Sequence, residues 1–168
     1  MKIEIFPLNR VAIDSISIYF GMNRSAVEAL IGSGEKIRNR HYYFNDEMVI
    51  DYLEDKVDFI EFLGGVDGQL KPVLYGTSVF DTDAAELVKV LKVNNSDEIC
   101  DTDKGYSYQF PNISVGVYRE AIPEEITEMI EEATRFGNPL SSDEIQNEMR
   151  RANHWATIGC GSACYYQR

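Results

Sequence analysis

Asn23-Arg24-Ser25-Ala26-Val27-Glu28-Ala29-Leu30-Ile31-Gly32 and Asp83-Ala84-Ala85-Glu86-Leu87-Val88-Lys89-Val90-Leu91 decide the architecture of this chain. Each opens on a short polar residue suited to capping a helix N-terminus. Apolar residues then recur four, seven and eight positions later, as Val27, Leu30 and Ile31 in one and Leu87, Val90 and Leu91 in the other, one face of an α-helix. Gly32 stops the first helix. Two segments with one pattern predict one structural unit used twice.

The segments after the two helices support the repeat. His41–Phe44, Met48–Tyr52 and Val57–Phe62 are short alternating or aromatic runs, separated by turns at Asn45-Asp46-Glu47 and Leu53-Glu54-Asp55-Lys56; they read as three antiparallel strands. After the second helix, Tyr106–Phe110 and Ile113–Tyr118 alternate around Pro111-Asn112, a hairpin turn whose proline cannot donate to a central ladder. The glycine-rich stretch Gly64–Pro72 reads as the link between units, and Asn94–Glu98 as a loop. The expected fold is α+β and a single domain over residues 1–168. Repeat units lie at about 13–63 and 73–120, forming a sheet with helices packed on one face. An extension over 121–168 completes the chain with two helices and a closing strand. Pro123 opens its first helix, ended by Gly137-Asn138-Pro139; Ser141 and Glu144 have capping-box spacing for its second; Ala156–Tyr166 is the strand.

Sixteen basic and twenty-eight acidic side chains leave a formal charge of -12, and each third of the chain, cut after Leu63 and Ile122, carries an excess of four acids. A field of that sign repels nucleic acid and suits ordinary solubility or attraction of a basic partner. No apolar run is long enough to span a membrane, no signal peptide is recognisable at Met1–Pro7, and three cysteines suit a reducing compartment, so the expected location is the cytoplasm.

No residue constellation amounts to a catalytic site, and no cofactor motif is present. Gly32-Ser33-Gly34 lacks the Gly-Lys-Ser/Thr of a phosphate loop, and the acids after Asp103 do not complete a calcium loop. The alternative centre is His154, Cys160 and Cys164, which supplies zinc-type ligands but no obvious fourth, or a cysteine nucleophile with a histidine base. Binding finds better material in Glu124, Glu128 and Glu132, spaced by four on the polar face of one helix. Tyr106 and Tyr108 add aromatic area with a polar tip. These five residues are the candidate partner site.

The order Ile18-x-x-Gly21-Met22-Asn23 through Gly32 and then a hairpin resembles the repeat unit of the outer-membrane assembly lipoprotein and β-lactamase-inhibitor-like families. The wider order, with Val57–Phe62, Phe80–Leu91, Tyr106–Pro111, Ser114–Arg119 and Ile158–Tyr166, is similar to small bacterial proteins that include immunity proteins against secreted toxins. The lipoprotein branch implies a lipobox cysteine and the inhibitor branch a disulfide staple, both missing here. The resemblance therefore implies a non-enzymatic protein-binding module of the bacterial cytoplasm, with a basic toxin as one partner.

Overall fold

The computed structural model describes residues 1–96, 99–101, 103–163 and 165–167. Cys164 and the end of the Asn94–Glu98 loop lie outside the described residues. In the first half, β1 (Ile3–Phe6), β2 (Arg10–Ile13) and β3 (Ile16–Tyr19) precede α1 (Arg24–Ile31), and β4 (Glu35–Ile37), β5 (Arg40–Tyr43), β6 (Met48–Leu53) and β7 (Lys56–Phe62) come after it. The second half repeats the order: β8 (Pro72–Leu74) and β9 (Thr77–Ser78), then α2 (Ala84–Asn94), then β10 (Cys100–Asp101), β11 (Ser107–Phe110) and β12 (Val115–Tyr118). Helices α3 (Pro123–Arg135) and α4 (Ser142–Ala152), strand β13 (Thr157–Gly161) and a 3-10 turn (Tyr165–Gln167) complete the chain.

The α+β class, both repeat helices and the closing strand agree with the sequence, while the strands divide between two sheets. One sheet has the order β3-β2-β1-β8-β9, the other β10-β11-β12-β13-β7-β6-β5-β4. Each therefore takes strands from both units. The seams are the first and last strands: β1 pairs antiparallel with β2 and parallel with β8, and β13 lies between β12 and β7, antiparallel to both. The hairpins before each helix, β2–β3 and β8–β9, belong to the repeat as well, although their strands are too short to announce themselves by alternation.

One hydrophobic core joins Ile3, Ile5, Val11 and Ile18 of the first sheet, Val27 of α1, Leu87 and Leu91 of α2, and Met48, Ile50, Ile60, Phe62, Val115 and Ile158 of the second. On the opposite face of the second sheet, Gly159 stands across from Glu61 and Gly116. A Cβ on Gly159 would run into the ring of Phe59, and one on Gly116 into Tyr166. Glycine at these positions leaves room for the aromatic side chains against the sheet. Phe59 stacks on Tyr165 with centroids 4.4 Å apart.

Local chemistry explains the helix ends. Asp83 Oδ1 accepts from the backbone N–H of Ala85 and Glu86, and Ser141 and Glu144 form the complete capping box. Asn23 occupies the N-cap position of α1 but makes no side-chain capping bond. The entry to α1 is held instead from the β6–β7 turn: the Arg24 N–H donates to Asp55 O at 2.9 Å and the Arg24 guanidinium pairs with the Asp55 carboxylate at 2.8 Å.

Candidate functional site

Two of the five candidate partner residues line one cleft. Tyr108 and Glu124 line a cavity of about 360 Å³ with Asp83, Ala85 and Val88 of α2, together with Arg119, Pro123, Asn153 and Trp155. Tyr106 lies beside it, its hydroxyl hydrogen-bonded to the Glu125 carboxylate, an acceptor whose charge pushes the phenol's pKa up to about 12. The floor is Trp155, 1% exposed, which turns its indole N–H to Ala84 O at 3.1 Å. Tyr108 meets Trp155 edge-on at 5.7 Å. Two residues apart on one strand share a face, so Tyr108 points with the wholly buried Phe110 toward the core side. It is half-buried and forms a wall of the cleft.

Arg119 gives the cleft its charge pattern. Its guanidinium lies 5.1 Å from the Trp155 ring centroid; Nε donates to Gly105 O at 3.0 Å and Nη1 to Ala152 O at 2.8 Å. Gly105 can sit under it because φ is +92° there, and Asp101 Oδ1 fixes that loop by accepting from the Gly105 N–H. Among the described residues no carboxylate comes within 4.0 Å of Arg119. Burial pulls its pKa down while the more distant Asp83 and Glu124 pull it up. The cation is oriented by neutral carbonyls and an aromatic face, with its charge uncompensated at contact distance.

The acidic stripe extends away from the cleft. Glu124, Glu128 and Glu132 are all exposed, on a helix that buries only Ile126. The neighbouring α4 buries only Ala152 and is tied to the body by Asp67, whose carboxylate accepts from Arg150 at 2.5 Å and Arg151 at 3.0 Å. Those hydrogen bonds hold the Asp67 carboxyl below its ordinary range. The α3–α4 hairpin thus presents its acids on a face the core does not need, which the four-residue spacing anticipated.

The alternative thiol–imidazole centre falls on separate ground. Cys160 is fully buried in β13 and directs its Sγ–H toward Ile60 O at 3.5 Å, and burial raises its thiol pKa far above the range of a reactive cysteine. His154 stands at the end of α4, its Nδ1 2.7 Å from Arg150 O. Most of a strand separates the two, so they do not form a pair. Among the described residues no group of three His, Cys, Asp or Glu is placed to hold a metal ion, and no helix is long and apolar enough to cross a membrane.

Two central residues escaped the sequence reading. Arg119 comes after a strand and Trp155 after a helix, and neither belongs to a motif. The one available signal was that Trp155 is the only tryptophan in the chain. Their meeting depends on β12 and β13 pairing, with Tyr118 opposite Thr157. No protein-family model, curated protein or solved structure is similar enough to this chain to match it.

Proposed function

We propose that this protein is a non-enzymatic binding module of the cytoplasm that captures a basic protein partner, with neutralisation of a bacterial toxin as one form of that role. The observation that carries the reading is that Tyr108 and Glu124 line one cleft over Trp155, while Glu128 and Glu132 are exposed on the helix that Glu124 begins. Aromatic area beside like charge suits an interface in which the acids speed encounter and the cleft supplies contact. The buried, high-pKa thiol of Cys160 favours binding over catalysis at the alternative centre.

The test compares wild type with Glu124→Lys/Glu128→Lys/Glu132→Lys as bait in the lysate of the source cells, and then measures association kinetics with the purified basic protein retained. Wild type is expected to associate about tenfold faster at low salt than the triple variant, and the gap should close as salt shortens the Debye length to about 8 Å. Equal rates at low salt would remove the acids from the interface. Cys160→Ala and His154→Ala are expected to bind as wild type does.

A further inference from the structure

The cleft's charges are of both signs and are placed apart. Arg119 sits over Trp155, and the carboxylates of Asp83 and Glu124 line the same cleft without pairing with it. The start of α2 is already satisfied from within the chain. The Ala84 N–H donates to Asn153 O at 2.8 Å, those of Ala85 and Glu86 to Asp83 Oδ1, and that of Leu87 to Asp83 O. The start of α2 therefore leaves no N–H for an anion. The anion-seeking group is Arg119, whose Nη2 has no acceptor among the described residues. The Tyr108 hydroxyl beside it also makes no hydrogen bond there, so a second donor is available.

A bare anion would meet Asp83 and Glu124, and a bare cation would meet Arg119. A ligand carrying both charges satisfies each wall. The rest of the lining includes Ala85, Val88, Pro123 and Tyr108, which suits an aliphatic stem. We propose that the cleft takes a small zwitterionic group, a carboxylate and a cation on one aliphatic frame, as in the C-terminal lysine or arginine of a polypeptide or in the free basic amino acid. The carboxylate lies at Arg119 and Tyr108, the cation at Glu124 and Asp83. This builds on the protein-binding reading by naming the group received. Because its test uses small ligands, it can fail while the acid-stripe association stands.

The experiment titrates the protein with acetyl-Gly-Gly-Lys as free acid, with its C-terminal amide and with free lysine, following Trp155, the single indole in the chain, by fluorescence and by its N–H resonance. At least one of the two carboxylate-bearing ligands is expected to bind with a Kd of about 1 mM or tighter, and the amide at least about tenfold more weakly than the acid. A preference for the tripeptide acid identifies a chain terminus as the source, and a preference for lysine identifies the free amino acid; both support the assigned chemistry. Arg119→Met should abolish the carboxylate-dependent gain. Because Arg119 also ties Gly105 to Ala152, Val88→Phe serves as a second variant that fills the cleft without touching those bonds, and it should abolish binding as well. Absence of saturable binding by both carboxylate ligands overturns the proposal, as do equal affinities for tripeptide acid and amide or a folded Val88→Phe that binds like wild type.

Discussion

The two repeat units use one plan with different materials. Helix α1 has 8 residues, buries Val27 alone and begins without a side-chain cap. Helix α2 has 11, buries Ala84, Leu87 and Leu91, and is capped by Asp83. The first unit instead holds its helix through Arg24 and Asp55 at the β6–β7 turn. It also tolerates a buried polar ring, His41, 6% exposed, whose two nitrogens find no partner among the described residues. Among the described residues the second unit has no such unsatisfied side chain, and it carries the cleft.

The largest test of that contrast is Trp155→Ala. It removes the indole that bonds Ala84 of α2, meets Tyr108 of β11 and lies under Arg119, and should cost about 4 kcal/mol in urea unfolding. A loss under about 1 kcal/mol would mean that the second unit does not rest on this residue. Next is the seam, where Gly159→Leu drives a side chain into Phe59; about 3 kcal/mol is expected, since the stacked Phe59 and Tyr165 rings leave little room to yield. The unfolding transition should stay single, because β13 hydrogen-bonds to both units.

His41 tests the weak point of the first unit. Burial, reinforced by Arg24 and Lys36 and opposed by Glu28 and Asp51, lowers its pKa from the ordinary 6.5. The unfolded chain therefore takes a proton before the folded one does. The contribution is full above pH 6.5 and is lost as pH falls below it, until the folded pKa is reached. His41→Leu should flatten that acid limb in a series of unfolding curves and raise stability near neutrality by about 1 kcal/mol, since it removes two unsatisfied buried nitrogens. The smallest contrast is between the caps. Asp83→Ala should cost about 1 kcal/mol and Asn23→Ala less than about 0.5 kcal/mol, because only the first breaks a capping bond. Equal losses would show that α1 depends on Asn23 in a way its geometry does not convey.

Much of this was legible in local pattern. Val27, Leu87 and Leu91 lie on the buried faces that their spacing assigned them, whereas Leu30, expected on the same stripe as Val27, is exposed because the short α1 buries only Val27. Glu54 and Asp55, both at positive φ, form the tight turn expected between Leu53 and Lys56, and Ser141 with Glu144 closes the expected capping box. At the candidate site the exposed acids were legible for the same reason, since helical spacing alone puts Glu124, Glu128 and Glu132 on one face. Tyr108 was harder. Its strand could be read from alternation, but which face of that strand met the core depended on Trp155, 47 residues onward.

The sequence by itself determined the α+β class, the doubled helix-and-hairpin unit, the helix boundaries and the acidic face, because each rests on contacts within a few residues. Tertiary structure alone decided that strands from both units would share two sheets, that β1 and β13 would become their seams, and that Arg119 would lie on Trp155. Those outcomes depend on pairings between distant segments. A strand's own residues specify that it must bury one face and pair its backbone, but any strand with matching faces can serve as neighbour, and the choice among them is made by the packing of the whole chain.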